Sequence, residues 1–306
     1  MRKALRRGLL LLLAAGVLAV PAVANGRVLG DLSSSGDDTA DARRSGRSLN
    51  AVGLTTDGRL VRFISTDTPG RTRNIGKVQK GLSGDQSLVG IDYRVQDGKL
   101  YGVGNNGGIY TLSDRDASAS KVGQLTVGLM GTAFGVDFNP AANRLRVISD
   151  AGQNLRHNLD DATATTPPLA GMTQPDGTLT IPPATTPAAG VTGAAYTNND
   201  LDANTATTLF DIDTVNDTVV VQSPANAGLL ASAGKLQVDA GTSVGFDIYS
   251  RSRFGVTQGN TGYATVSVLG RYSLFQVNLL TGKASRIGGF RADTQVLDLA
   301  IQLDQG

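Results

Sequence analysis

The stretch GTAFGVDFNPAANRLRVISDAGQNLRHN, residues 131–158, is the clearest copy of a unit that recurs along the chain. It predicts a short apolar strand, Phe134 to Phe138, that ends in the polar turn Asn139-Pro140. Two further strands are predicted at Arg144 to Ser149 and Asn154 to Leu159, separated by the turn signal Asp150-Ala151-Gly152. Short strands that alternate with polar turns are typical of an all-β domain.

Weaker copies of this unit lie before and after it. Each opens with a glycine in an apolar strand, and the opening glycines at 90, 135, 193 and 245 are separated by 45, 58 and 52 residues. In the unit around residues 131–158 we predict the fourth strand at Thr178 to Ile181. A four-stranded unit that recurs every 40 to 50 residues or so indicates the blades of a β-propeller.

The two ends of the repeat region complement each other. The last strand, Val296 to Ile301, resembles an opening strand with nothing after it, and residues 49–78 hold three strands without an opening one. Joined, they make one complete blade and leave no long exposed edge. We therefore predict an all-β fold, a single β-propeller of five four-stranded blades that the C-terminal strand closes onto the N-terminal blade. Six blades are the alternative, because the Thr/Pro/Ala-rich residues 160–190, interpreted as a loop insertion, could hide further strands.

Residues 1–24 have the pattern of a signal peptide. Four basic residues precede an apolar run, Gly8 to Val20, and Ala22-Val23-Ala24 is a small-residue cleavage site. An uncleaved anchor is the alternative, although the apolar run Gly8 to Val20 is shorter than the stretch of about 20 apolar residues that a membrane span needs. Residues 25–47, rich in Ser, Asp, Gly and Arg, predict a disordered spacer before the propeller domain at 48–304. The expected location is secreted or periplasmic, with no membrane span after cleavage.

Charge and cysteine content exclude several classes of protein. The chain has 28 basic and 26 acidic residues, and removal of four basic residues with the signal peptide leaves 24 against 26, a net charge of −2. Without a basic cluster, nucleic-acid binding is not expected. The chain has no cysteine, so it has no disulfide, thiolate metal site or cysteine nucleophile.

Six segments of the chain are similar to a family of bacterial exported proteins known as domain of unknown function 4394. They are GIDYRVQDGKLYGV (90–103), FGVDFNPAANRLRVISDAGQNLR (134–156), GAAYTNND (193–200), LFDIDTVNDTVVVQSP (209–224), VGFDI (244–248) and LFQVNLLTGKASRIG (274–288). The resemblance covers roughly residues 49–303. It implies export and a propeller-like repeat, and it implies no activity.

Catalytic groups are scarce in the sequence. His157 is the only histidine, so it cannot complete a three-histidine metal site or supply a catalytic triad by itself, and G-x-S-x-G does not occur. Apolar neighbours predict that His157 is a packing residue. We therefore favour a protein that is not an enzyme.

Repeated aspartates form the first candidate site. Asp92, Asp137 and Asp247, with Asp298 as a further candidate, occupy equivalent positions in the opening strands, and Ala195 replaces the aspartate in the third unit. Opening strands lie nearest the axis of a propeller, so these carboxylates are candidate ligands of a hard cation, for which Ca²⁺ is the choice, or of a polar ligand. The alternative is that each aspartate caps the backbone of its own turn.

An arginine-rich set in the unit around residues 131–158 forms the second candidate site. Arg144 and Arg146 share one face of a strand, and Asn154 and Arg156 share one face of the next. The candidate ligand-binding residues are Asp137, Asn139, Arg144, Arg146, Asn154 and Arg156. The guanidinium groups would bind an anion such as a carboxylate or a sugar acid. Alternatively, they pair with Asp137, Asp150 or carboxylates of a neighbouring blade and fix the blade interface.

The sequence thus favours an exported, monomeric binding or scaffolding module of the cell envelope, with no certain cofactor. Its partner would be an unknown protein, a glycan or a small acidic ligand. Fold alone does not select a function, so two alternatives remain: a calcium-dependent propeller enzyme resembling lactonases or lyases, and a structural surface or matrix protein.

Overall fold

Five four-stranded antiparallel sheets make up the part of the chain that this computed structural model describes, residues 48–79 and 81–303. The predicted signal peptide and spacer lie outside the described residues. The strands are β1 (Ala51–Thr55), β2 (Arg59–Phe63), β3 (Thr72–Lys77), β4 (Leu88–Tyr93), β5 (Leu100–Gly104), β6 (Gly108–Leu112), β7 (Ala119–Gln124), β8 (Phe134–Asn139), β9 (Arg144–Ser149), β10 (Asn154–His157), β11 (Thr173–Pro175), β12 (Val191–Tyr196), β13 (Leu209–Asp213), β14 (Thr218–Gln222), β15 (Leu230–Lys235), β16 (Val244–Arg253), β17 (Val256–Val268), β18 (Arg271–Val277), β19 (Ala284–Gly289) and β20 (Val296–Ile301). One short 3-10 helix, Ala225–Ala227, lies between β14 and β15.

The sheets are the blades of a five-bladed propeller, and the C-terminal strand closes the ring. Blade 1 has the order β20-β1-β2-β3, and blades 2 to 5 are β4–β7, β8–β11, β12–β15 and β16–β19. In blade 1, Val52 lies opposite Ala300 and Gly53 opposite Leu299. The predicted fold class, blade number and ring closure are therefore confirmed.

The opening strands β20, β4, β8, β12 and β16 form the inner ring, each in contact with the next. The repeated opening glycines permit this close approach. A Cβ added at Gly245 would lie 2.4 Å from Cα of Asp298, and one at Gly135 would lie 2.8 Å from the backbone nitrogen of Ala194. Any larger residue there would push the neighbouring blade outward, which explains why glycine opens blades 2 to 5.

Apolar side chains from adjacent blades make up the core. Between blades 3 and 4 the buried side chains include Ile148, Ala194 and Val220, and between blades 4 and 5 they include Phe210 and Phe246. Alternate residues of each strand face opposite neighbours, because side chains alternate across a strand. Each blade is therefore covered on both faces.

The fourth strand of blade 3 is not where the sequence predicts it. The strand is β11 (Thr173–Pro175), which pairs with β10, and the predicted strand at Thr178 to Ile181 is wrong. In that segment Leu179 is buried against blade 4, and Thr180 makes only an isolated bridge to Leu229. The apolar alternation there reflects packing between two blades and not pairing within a sheet. The segment 160–190 consequently contains a blade strand instead of one continuous loop.

Blade 5 carries a hairpin extension longer than the predicted strands. β16 and β17 pair through to Arg253 opposite Val256, whereas β18 pairs with β17 only from Gly262 onward. About five residue pairs thus form a two-stranded overhang, roughly 17 Å long at 3.4 Å per residue.

No helix in the described part of the chain has the length and apolar character needed to cross a membrane.

Candidate functional site

Four buried carboxylates line the inner ring. Asp92, Asp137 and Asp247 each offer an oxygen, and these atoms lie within 4.8 Å of one another. Asp298 is buried at the corresponding position of blade 1, and Ala195 stands at that position in blade 4. We call Asp92, Asp137, Asp247 and Asp298 the inter-blade carboxylates.

Each inter-blade carboxylate accepts a backbone N–H from the opening strand of the following blade. The bonds run from Ile91 N to Asp298 Oδ2 (2.8 Å), from Phe138 N to Asp92 Oδ2 (2.8 Å), from Ile301 N to Asp247 Oδ2 (2.6 Å) and, at 3.3 Å, from Tyr196 N to Asp137 Oδ1. Four of the five boundaries in the ring are joined in this way. The exception is the boundary between blades 4 and 5, where Ala195 replaces the acid.

Three of these carboxylates also accept the N–H of the next residue in their own strand. The donors are Tyr93 to Asp92, Ile248 to Asp247 and Leu299 to Asp298, at 2.6, 2.6 and 2.9 Å. The acids are thus not caps of a local turn, because one of the two donors belongs to another blade. They are part of the connections that hold the ring together.

Burial strongly shifts the protonation of this group. Removal from water raises the pKa of Asp298 to about 8 and that of Asp247 to about 6. It also raises the pKa of Asp92 and Asp137 well above the ordinary range, an effect reinforced by the neighbouring carboxylates. Backbone N–H donors lower these pKa values and only partly offset burial. Burial therefore favours the protonated form of Asp92, Asp137 and Asp298, whereas a bound cation would favour the ionised form.

The geometry is compatible with a hard cation at Asp92, Asp137 and Asp247. Calcium is bound by carboxylate oxygens, and a carboxylate has about four lone-pair sites, of which the backbone donors use at most two here. The Cβ of Ala195 offers no ligand, so blade 4 would not contribute a side chain. The structure brings the three predicted metal residues together, and the same atoms also serve the inter-blade hydrogen bonds.

The predicted arginine site divides into two parts. Arg146 and Arg156 lie opposite each other on β9 and β10, and both bind the carboxylate of Asp176, at 2.7 and 3.0 Å. Arg144 instead pairs with Asp161 at 3.1 Å. The Oδ1 atom of Asn139 accepts the N–H of Ala142, so Asn139 closes its own turn.

Arg146 is the centre of a buried polar network between blades 3 and 4. Its side chain is 1% exposed. It donates to Tyr196 Oη, Asn154 Oδ1 and Asn226 Oδ1 at 3.1, 2.6 and 2.9 Å, in addition to Asp176. Two of these partners come from blade 4, so the network joins the two blades. Arg146 thus fixes the interface between blades, as the structural alternative expected, but its acid is Asp176 and not Asp137, Asp150 or a carboxylate of blade 4.

Asp211 is a buried carboxylate that sequence reasoning missed. It lies on β13 opposite Ala194, is fully buried, and neither of its oxygens has a hydrogen-bond partner. Burial raises its pKa, and the charge of Arg146 lowers it in part. Its signal in the sequence was the acid at the centre of the apolar segment Leu209–Asp213, where a charge is costly to bury.

His157 is a packing residue in a polar contact. It is buried, and Nδ1 lies 3.0 Å from Thr173 Oγ1 on the adjacent strand. Burial, with a smaller effect from Arg144, lowers its pKa to about 4. The ring is therefore neutral at physiological pH.

A wide groove of about 500 Å³ lies on blade 2 near its border with blade 1. Its floor includes Leu100 and Leu112, which are buried. It is also lined by the charged residues Lys99, Asp114 and Arg115 and by the hydroxyl-bearing residues Tyr93, Thr111, Ser113, Ser118 and Ser120. None of the predicted site residues lines this groove.

The chain belongs to the family described as domain of unknown function DUF4394, whose model matches residues 59–300. This match confirms the resemblance noted in the sequence. Among curated proteins, none matches the chain significantly.

Several solved structures are similar to the chain at low identity. A chain of the nidogen/laminin complex is 12% identical with a TM-score of 0.43, and 85% of this chain and 86% of that chain are covered. A protein of unknown function from Bacteroides thetaiotaomicron is 11% identical with a TM-score of 0.42, and the covered shares are 84% and 68%. An auxiliary nutrient binding protein from Bacteroides ovatus is 12% identical with a TM-score of 0.39, and the shares are 84% and 50%. At these values the likeness says nothing about what this chain binds.

Proposed function

We propose that this protein is an exported binding module of the cell envelope that takes an acidic, hydroxyl-bearing ligand in the groove on blade 2. Export is supported by the signal-peptide pattern of residues 1–24. The observation that carries the binding proposal is the groove itself, a concave surface with an apolar floor and a polar, charged rim. Such a combination is typical of ligand sites.

The charges of the groove favour an anionic ligand. Asp114 is already paired with Arg62, whose Nη2 lies 2.9 Å from its carboxylate. The exposed side chains of Lys99 and Arg115 form no ion pair within the described residues, so they can meet a carboxylate, while serine and threonine hydroxyls can exchange hydrogen bonds with sugar hydroxyls. A glycan that contains uronic acids has both features.

Isothermal titration calorimetry with oligogalacturonate and with the matching neutral oligogalactose tests the proposal. We expect binding of the acidic oligosaccharide alone, and a loss of about tenfold or more in affinity for Lys99→Gln/Arg115→Gln, since two charge-assisted contacts are removed. Lys235→Gln, an exposed lysine of blade 4, is the matched control and should bind like the wild type. Equal binding of both oligosaccharides, or none of either, would contradict the proposal.

A calcium-dependent propeller is the second candidate function, and it is favoured by the convergence of Asp92, Asp137 and Asp247. Calcium would replace the protons that the cluster holds, so its affinity would increase with pH. At a concentration of about 100 times Kd, calcium should raise the free energy of unfolding by roughly 2.7 kcal/mol.

Thermal unfolding with calcium and with a chelator distinguishes this candidate from a cluster that is only architectural. If a cation is bound, chelation lowers the melting temperature of the wild type and leaves Asp137→Asn unchanged. Asp116→Asn, which removes an exposed acid of blade 2, serves as the control. A melting temperature that is indifferent to calcium and to the chelator would rule out the cation.

A further inference from the structure

The tip of the blade 5 overhang combines backbone strain with exposed apolar surface. Arg253 lies opposite Val256, so Phe254 and Gly255 form a two-residue turn, with φ of 55° and 76°. Positive φ at both positions is typical of a type I′ turn, for which Asn-Gly is the preferred sequence. A phenylalanine there is strained, and its side chain is 85% exposed. Neither local conformation nor core packing accounts for the aromatic residue.

Strain alone does not single out this turn. Leu269 and Gly270 form an equivalent turn between β17 and β18, with φ of 49° and 77°, and Leu269 is 98% exposed. That turn closes strands that belong to the full four-stranded blade, whereas the Phe254 turn ends the two-stranded overhang. The position at the end of an extension distinguishes Phe254.

Charge also distinguishes the Phe254 tip. Arg251 and Arg253 are both exposed, and within the described residues neither forms an ion pair. The guanidinium of Arg253 lies over the Phe254 ring, 5.0 Å from its centroid. The tip therefore presents an aromatic ring together with two arginines that no acid of the described residues neutralises.

Blade 4 supports the overhang and adds a second exposed apolar residue beside it. Asp200 Oδ2 accepts the N–H of Thr257 at 2.9 Å. Asn260 Nδ2 donates to Asn198 Oδ1 at 2.7 Å, and the backbone N–H of Asn198 donates to Asn260 Oδ1 at 3.0 Å. Leu201, next to Asp200, is 63% exposed. The extension is thus held in place from the side, and its apolar surface remains in solvent.

We propose that this tip, formed by Leu201, Arg251, Arg253 and Phe254, docks on an anionic lipid surface. An aromatic ring at the level of the headgroups, with arginines that reach the phosphates, is the arrangement that membrane interfaces favour. A convex tip of a few residues can enter a fluid headgroup layer without a preformed partner pocket. The two arginines without acidic partners supply the charge complementarity to anionic lipids.

Co-sedimentation of the full chain with phosphatidylglycerol and with phosphatidylcholine vesicles tests the proposal. We expect binding to phosphatidylglycerol only, weakened by salt because the attraction is screened. Arg251→Gln/Arg253→Gln should lower the partition coefficient by about 25-fold, since each basic residue near an anionic surface contributes about fivefold.

Phe254→Asn separates binding from folding. Asparagine suits the positive φ of the turn, so this variant should be at least as stable as the wild type, yet lose about tenfold in vesicle binding. Leu269→Asn makes the same exchange in the equivalent turn and should bind vesicles like the wild type. The proposal is overturned if the wild type ignores phosphatidylglycerol, or if Phe254→Asn binds as well as the wild type. It is also overturned if Phe254→Asn instead abolishes a dimer seen by light scattering, because the tip would then serve a second copy of the chain.

Discussion

Asp298→Asn should remove the pH dependence of stability that the buried carboxyl imposes. The pKa of Asp298 is raised to about 8 in the folded protein, compared with about 3.9 for an unfolded aspartate. The stabilising effect of the raised folded-state pKa is fully present below pH 4 and is lost as the pH rises through 8. Over this interval unfolding releases about one proton, so the free energy of unfolding falls by about 1.4 kcal/mol per pH unit. The loss from this group amounts to about 4 kcal/mol at pH 7.

Asp298→Asn also loses one of the two oxygens that accept backbone hydrogen bonds. The carboxyl of Asp298 accepts the N–H groups of Ile91 and Leu299, and an amide has only one oxygen to accept them. One buried donor is left unsatisfied, which costs about 1–3 kcal/mol at every pH. The variant should therefore be less stable than the wild type at pH 4 and more stable at pH 8, so that the two stability curves cross between these values.

Urea unfolding followed by far-UV circular dichroism at pH 4, 6 and 8 measures this crossing, since the chain has no tryptophan for fluorescence. Asp67→Asn, which removes an exposed acid from the turn between β2 and β3 of the same blade, is the matched control and should not cross the wild-type curve. Parallel curves for the wild type and Asp298→Asn would refute the reasoning, because they would mean that Asp298 titrates alike in the folded and unfolded chain.

Three further changes test the packing of the ring by the same unfolding assay. Arg146→Met removes one of the two arginines that bind buried Asp176, together with the donor to Asn154 and Asn226, and should lower the free energy of unfolding by roughly 3–5 kcal/mol. Arg291→Met, at an exposed ion pair, should change it by less than about 1 kcal/mol. Equal effects would show that the Arg146 network is not structural. Ala195→Asp places a fifth acid in the inner ring beside apolar side chains and should lower the free energy of unfolding by about 3 kcal/mol or more. Ala231→Asp, on an exposed edge, is the control and should not show this loss. A neutral outcome for Ala195→Asp would mean that blade 4 can accept the acid. Deletion of residues 290–306 removes β20 and should abolish cooperative unfolding, since no strand within blade 1 can replace it; a truncated protein that melts like the full chain would contradict ring closure.

The repeat made the architecture readable from the sequence. The opening strand Val296–Ile301 has the predicted bounds, because an apolar strand with an acid at the same position recurs at the start of other units. The strand at Thr173–Pro175 was not predicted, because a segment of three residues that ends in proline has no sequence pattern typical of a strand. The overhang of β16 and β17 was not predicted either, because its polar residues resemble those of a loop.

Only the part of the candidate site that follows from strand periodicity could be predicted from the sequence. Periodicity places Asp92, Asp137 and Asp247 at equivalent points of the ring, and the structure brings them together. Periodicity cannot identify the acid that pairs with Arg146, because Asp176 directly follows the short strand β11, which has no alternation of apolar and polar residues. The groove on blade 2 was not predicted, because periodicity assigns strands and not the shape of the surface between them. The acid in Leu209–Asp213 was not recognised as buried and unpartnered.

Amide hydrogen exchange at Ile91, Phe138 and Ile301 tests most directly whether the inter-blade carboxylates hold the ring together. Each of these N–H groups donates to a carboxylate of the preceding blade, so it should exchange only when the whole ring opens. The account predicts that the free energy of exchange at all three amides equals the global free energy of unfolding. Exchange at free energies several kcal/mol lower, while the strands around them stay protected, would contradict it.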